Sequence, residues 1–355
     1  MVLAGMLSAG SALAQTVTLP QAASPAARVM QRVGITDITV DYSRPSVRGR
    51  EIWGGLVHYG MQNLGFGTAE ESPWRAGANE NTVITLSHDV QVGGKTLPQG
   101  SYALFIVVGE GNTSTVIFSN NATSWGSYFY SPEEDVLRTE ITTEEVAHVE
   151  TLTYSFPEVG GDYAVLALDW EKKRFPIRIE INVPEIVVTN GKQELRNSTG
   201  FSWQGPYSLA QYAVQNGVHM EEAKGWAQAA AAQQSNFQTE SLVAQLLAAD
   251  DAAASKAAME RALELGNPFE IHQYARQLIA AGKADEAVRV FEFNAKKHPN
   301  TWPVNYGLAR GYSAQGDYKK ALKYLRKALD NAPNEPNRQA IEANIAKLER
   351  GEDIN

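Results

Sequence analysis

From Pro268 to Pro333 the chain reads PFEIHQYARQLIAAGKADEAVRVFEFNAKKHPN and then TWPVNYGLARGYSAQGDYKKALKYLRKALDNAP, one pattern written twice at an offset of 34 residues. Tyr274 pairs with Leu308, Ala275 with Ala309, Leu278 with Tyr312 and Gly282 with Gly316. Further on, Ala287 pairs with Ala321, Phe291 with Leu325 and Pro299 with Pro333. A period of this length belongs to arrays of helical hairpins, where each unit buries its apolar face only by stacking on the next. The small residues say how. Ala275/Ala309 and Ala287/Ala321 let two helices approach closely, and Gly282/Gly316 turn the chain between them. This gives repeats over 268–301 and 302–335. A capping helix over 336–349 closes them, with Ile341, Ile345 and Leu348 at i, i+4 and i+7 and charged residues opposite. Upstream, Ser208–Gln215 with Glu221–Gln233 and Glu240–Ala249 with Ala252–Leu265 read as two degenerate pairs, so that residues 207–355 form one helical-hairpin array.

Ahead of that array the period changes from helical to two. Phe175, Ile177, Ile179, Ile181 and Val183 alternate with Pro176, Arg178, Glu180 and Asn182, which buries one face and wets the other. Further strands are expected at Arg28–Val33, Ile38–Ser43, Val83–Ser87, Val90–Val92 and Ser101–Val108, then at Thr115–Ser119, Val136–Ile141, Thr151–Phe156 and Tyr163–Trp170. Gly93-Gly94 suits a two-residue hairpin, and Pro98-Gln99-Gly100, Gly109–Asn112 and Gly160-Gly161-Asp162 mark other turns. Residues 27–183 are therefore expected to form an antiparallel sandwich or barrel. Pro176 would put its strand at an edge or a bulge. Residues 184–206 read as a connector with one helix around 187–196. The fold class is α+β in two domains, all-β and then all-α.

Composition excludes several functions. The chain has 355 residues, 40 acidic and 31 basic, a net charge of −9 and no cysteine. Without a lysine/arginine run that balance does not suit nucleic acid, whose phosphates demand clustered cations. No apolar stretch reaches the ~18 residues of a membrane span. The lack of cysteine removes disulfides, thiol catalysis and thiolate metal sites. Val2–Leu13 is apolar or small, and Ala12-Leu13-Ala14 is a small-x-small pattern that signal peptidase accepts, although no basic residues precede it. Residues 1–14 are thus expected to be a signal peptide cleaved between Ala14 and Gln15. The mature chain would be periplasmic or secreted, of Gram-negative type, and begin with a flexible arm over 15–26.

The 34-residue unit, with its Gly, Ala, aromatic and Pro positions, resembles tetratricopeptide repeats. That resemblance implies a concave groove that takes a peptide or protein, with His272/Tyr306 and Arg276/Arg310 as matched groove-side candidates; solvated helix-face residues are the alternative. Ile271 stands where the pattern often has Trp, and no Lys/Asn clamp for a carboxylate is visible. The β region carries Ser24-Pro25, Gln31, Gly34, Tyr42–Pro45, Gly49-Arg50, Ile52, Leu56-Val57 and Tyr59-Gly60, then Trp74-Arg75, Gly77–Glu80, Thr82 and Trp125-Gly126. In that order they resemble the bacterial domain of unknown function 2911 over roughly 24–180. Its members are typically exported and often carry helical repeats behind the β domain, and the family implies no activity. Two departures stand out. His58 sits where a proline is common, and Met61–Pro73 lengthens a usually short connection.

Asn79-Glu80-Asn81 precede a strand, where the loops of a sandwich gather, and Arg44 and Arg50 leave the end of another. Arg44, Arg50, Trp74, Arg75, Asn79 and Glu80 together offer guanidinium forks, an amide, a carboxylate and an indole face suited to an anionic or sugar ligand. The competing reading is structural, with an Arg75–Glu80 ion pair pinning the loop, Asn79 capping a turn and Trp74 filling the core. The six histidines show no metal-ligand spacing, and no nucleophile-elbow or phosphate-loop motif occurs. No metal or cofactor is expected. The chain reads as a binding protein, with a ligand or envelope component on the sandwich and a protein partner on the helices. The alternative is a hydrolase of a sugar or anionic ester that uses Glu80 with His58 or His88.

Overall fold

The computed structural model describes residues 23–299 and 301–355. The expected signal peptide and most of the arm lie outside the described residues. Contacts divide the chain into two units at Val187/Val188.

In the first unit, β1 (Ala26–Val33), β2 (Thr36–Ser43), β3 (Val83–Leu86), β6 (Gly100–Val107), β7 (Thr113–Ser119) and β8 (Asp135–Thr142) form one sheet in the order β1-β2-β3-β6-β7-β8. The second sheet, in the order β5-β4-β10-β9, holds β4 (Val90–Val92), β5 (Lys95–Leu97), β9 (Glu144–Val159) and β10 (Tyr163–Glu180). Every pairing is antiparallel. One core fills the space between the sheets, with Ile38, Val40, Ile84, Leu104 and Phe118 from the first and Leu152, Leu166, Leu168, Phe175 and Ile177 from the second. The alternation of apolar residues is what lets each strand contribute to it.

The strand list changes in four places, one of them β9, which runs from Glu144 to Val159 where Thr151–Phe156 was expected. Tyr163–Trp170 and the Phe175 strand are one strand of 18 residues, bent at a register shift where Glu171 has φ +55°. β5 was missed because only Leu97 of its three residues is apolar, whereas β4, equally short, alternates as Val-Gln-Val. Pro176 is neither at an edge nor in a ladder. β10 runs between β9 and β4, and Pro176 falls after its last pairing with β9 at Arg174 and before its first with β4 at Ile179, so no partner needs the missing N–H. At the front, β1 begins at Ala26, inside the stretch read as an arm. The Gly93-Gly94 hairpin is present with φ +58° and +73°, the left-handed pair a tight two-residue turn requires.

The stretch read as a connector is mostly helical. α1 spans Val183–Glu194, a short 3-10 turn covers Ser198–Phe201, and α2 starts at Gln204. In the second unit α2 (Gln204–Asn216), α3 (Met220–Gln233), α4 (Phe237–Leu247) and α5 (Ala252–Leu265) surround one core, built on Ala210, Ala223, Ala227, Leu242 and Ala258. α6 (Pro268–Ala280), α7 (Ala284–Lys297), α8 (Trp302–Ala314), α9 (Tyr318–Asp330) and α10 (Glu335–Glu349) surround another. The starts of α6/α8 and of α7/α9 differ by the 34 residues of the repeat. Ala275, Ala309, Ala287 and Ala321 are fully buried where helices touch, and Gly282 and Gly316 take φ +75° and +79° at the turns.

Candidate functional site

The loop Trp74–Thr82 enters β3 and is wired at both ends. Trp74 exchanges two backbone hydrogen bonds with Ile106, of 3.0 and 2.9 Å, and Leu104 N–H donates to the Thr82 carbonyl at 2.8 Å. Between them Ala76 and Asn79 adopt φ +49° and +60°, conformations that L-residues seldom hold. The cause is visible. The Ala76 carbonyl accepts from both Thr82 Oγ1 and the Tyr154 hydroxyl at 3.0 Å, and a Cβ on Gly77 would lie 2.6 Å from Thr82 Oγ1. Strain of this kind persists only where surrounding contacts over-determine it.

A cleft of about 390 Å³ opens beside this loop. Arg48, Arg50, Arg75 and His58 line it, with Gln62, Asn79 and Ser127 as further polar groups and Trp74 and Trp170 as aromatic ones; among the described residues no Asp or Glu lines it. Arg48 is itself strained at φ +50°. Its Nη2 donates to the Ala23 carbonyl at 3.2 Å, while its backbone N–H donates to Glu150 Oε1 at 2.9 Å. Arg50 donates to the carbonyls of Val47 and Ser46 at 3.1 and 2.5 Å. Arg75 Nη1 donates to the Asn79 carbonyl at 2.7 Å, and its guanidinium lies 5.0 Å from the Tyr128 ring centre. Gly126 packs on that guanidinium, so close that a Cβ there would fall 2.5 Å from Nη1.

These side-chain partners are backbone carbonyls and a ring. Elsewhere in the β unit Arg28, Arg32, Arg138, Arg174 and Arg178 each meet a carboxylate. Carbonyls orient a guanidinium without neutralising it, so Arg50 and Arg75 bring positive charge to the cleft, while the Glu150 carboxylate interacts with Arg48. Beneath it Trp74 and Trp170 stack at 5.9 Å with an interplanar angle of 15°, and Trp53 meets Trp74 edge-on at 5.6 Å. Trp170 is 1 % exposed, and its indole N–H has no acceptor among the described residues.

Four of the six residues read from the sequence, Arg50, Trp74, Arg75 and Asn79, meet at the cleft. Arg44 does not line it. Its guanidinium donates to Leu152 O at 3.0 Å and Thr153 Oγ1 at 2.7 Å, tying the end of β2 to β9 in the opposite sheet. Glu80 is exposed and does not line the cleft either. Arg75 reaches the loop through the Asn79 carbonyl. His88, offered as a partner for Glu80, sits past the far end of β3 beside Thr36 Oγ1 and Ser87 Oγ. Arg48 and Trp170 were missed. Arg48 adjoins the quoted Gly49-Arg50, but its left-handed backbone leaves no sequence signal, and Trp170 reads as an ordinary strand residue.

Residues 24–179 match the model of a family described as Protein of unknown function (DUF2911). The β unit carries this match. Residues 278–345 match the Tetratricopeptide repeat model. No curated protein matches the chain. Among solved structures it is similar to YrrB, described as a TPR protein with an unusual peptide-binding site, at 20% identity over 46% of this chain and 84% of that one, TM-score 0.29. MamA is similar at 16% identity over 41% and 80%, TM-score 0.29, and PilF of Pseudomonas aeruginosa at 18% over 43% and 72%, TM-score 0.30. Apart from Ala23, the described residues that line the cleft fall within the matched stretch.

In the tetratricopeptide-like unit three of the four groove candidates are engaged by their own chain. His272 Nδ1 lies 3.1 Å from the Pro303 carbonyl and its ring stacks on Tyr306 at 6.5 Å; burial pushes its pKa down to about 4. The Tyr306 hydroxyl accepts from Asn344 at 2.7 Å, and Arg310 Nη1 donates to the Ile354 carbonyl at 3.4 Å. Arg276 is exposed. The open groove of this unit, about 1040 Å³, lies along α2, α4, α5 and α6, where Gln211, Gln215, Gln238, Gln245, Gln273 and Gln277 face it.

Proposed function

We propose that this is a non-catalytic binding protein that works outside the cytoplasm. Its β unit holds a small anionic ligand, and its helical repeats dock a protein partner. The ligand reading is carried by one observation, three arginines held by backbone carbonyls around a cleft that, among the described residues, no Asp or Glu lines. Guanidiniums so oriented present forked donors to a phosphate, sulfate or carboxylate with little rearrangement. For the helical unit, six glutamine amides along one groove both donate and accept, which suits the alternating N–H and C=O groups of an extended peptide. The small residues Ala12 and Ala14 support export.

Titration calorimetry of the purified chain against inorganic phosphate, sulfate and glucuronate tests the ligand reading. At least one of these anions should bind, and Arg50→Gln should weaken binding at least tenfold, as expected for one charge-assisted hydrogen bond of about 1.5–3 kcal/mol. Absence of binding for all three at millimolar concentration would sink the reading. Export is checked by the mass of the native protein, expected to begin at Gln15.

A further inference from the structure

Apolar side chains are exposed in the cleft and around the ring and glycine that hold Arg75. Leu56 and Leu64 line the cleft and are 48% and 38% exposed. Phe66, 67% exposed, meets Tyr128 edge-on at 5.4 Å and Phe129 at 6.2 Å, and Tyr128 is the ring on which Arg75 rests. Trp125, 51% exposed, precedes the Gly126 that backs the Arg75 guanidinium. With Phe129 these are five of the eight large hydrophobics exposed among the described residues of the β unit. Scattered apolar residues need no explanation, but a group of them beside a charged cleft does.

The loop that carries Leu64 and Phe66 is held in place. Gln62 and Ser72 exchange backbone hydrogen bonds of 3.1 and 2.7 Å across its base. Its tip is pinned by Thr68 and Ala69 N–H donating to the Tyr128 carbonyl at 3.1 Å, and a Cβ on Gly67 would overlap that carbonyl. Phe66 is therefore presented outward by a loop built to keep it there.

We infer that the ligand is a single-chain anionic amphiphile. Its head group meets Arg48, Arg50 and Arg75, and its alkyl chain lies over Leu56, Leu64 and Phe66. The inference rests on the anion-binding reading and adds the apolar half. Charge complementarity selects the head, and Leu56 and Leu64 on the cleft wall supply the apolar contact that an alkyl chain takes.

Ethyl, butyl, hexyl and octyl phosphate, each below its micelle concentration, test it by calorimetry on the full chain. Full burial would tighten binding about fourfold per methylene; a chain covered on one side gains roughly twofold, so octyl phosphate should bind on the order of fiftyfold more tightly than ethyl phosphate. Phe66→Ser should reduce that octyl-to-ethyl ratio severalfold. Equal affinities along the series, with ethyl phosphate still bound, would overturn the amphiphile and leave the anion site standing. Loss of binding across the whole series, inorganic phosphate included, would remove both. Co-sedimentation with phosphatidylglycerol vesicles without binding of monomeric octyl phosphate would overturn it in favour of a bilayer surface.

Discussion

Gly126 and His272 show how one atom's surroundings set a measurable property. Gly126 holds φ +61°, and the guanidinium of Arg75 occupies the space where a Cβ would go. Gly126→Ala should therefore cost about 1–3 kcal/mol from backbone strain and displace Arg75, weakening anion binding. Gly111→Ala, with open space around it, serves as the control in thermal melts and calorimetry. His272 is held neutral by burial, its pKa lowered from 6.5 to about 4, so the unfolded chain binds the extra proton between those values. Stability is then unaffected above pH 6.5 and falls as pH drops toward 4, by on the order of 2–3 kcal/mol. Melting of the helical signal at pH 7 and pH 4.5 measures this, and His272→Gln should flatten the difference. The site's chemistry was legible where residue type alone decides it, as at Arg50, Arg75, Trp74 and Asn79. It was not where an equally charged residue is diverted. Arg44 and Arg48 are indistinguishable by type, yet one ties two sheets together and the other lines the cleft.

Repeated helices tolerate little at the point where they touch. Ala321 is fully buried inside the core shared by α6 to α10. Ala321→Glu would bury a charge with no room and no partner, at a cost of about 3 kcal/mol or more. The helical circular dichroism should melt early while the β signal persists; unchanged melting would mean the repeat register is wrong. Elements with a strong period or turn signal were legible. Gly93-Gly94, Gly282 and Gly316 all take the left-handed φ their turns need, and the 34-residue offset reappears in the helix starts. What could not be read was the joining of segments. The charged run Glu171–Arg174 looks like a strand break, and only the pairing with β9 shows it to be a bend inside β10.

Each unit of the molecule has cores of its own, one between the sheets and two among the helices, so each has the means to fold alone. The sequence places the weak point anywhere in 184–206, but α1 protects its first half, and Val183 and Ile186 pack on the β core. The vulnerable stretch is instead the irregular one from Leu195 to Trp203. Phe201 there is 86% exposed, an open site for chymotrypsin. Limited digestion should first cut after Phe201 and leave a stable β-rich fragment that retains α1. Every residue lining the cleft lies between Ala23 and Trp170, so that fragment should bind its anion with the affinity of the intact chain, within about twofold. Mass spectrometry of the digest and calorimetry of the purified fragment give the two readings. A stable fragment that has lost binding would mean that the anion site needs the helical unit, and the cleft as drawn would not be the site.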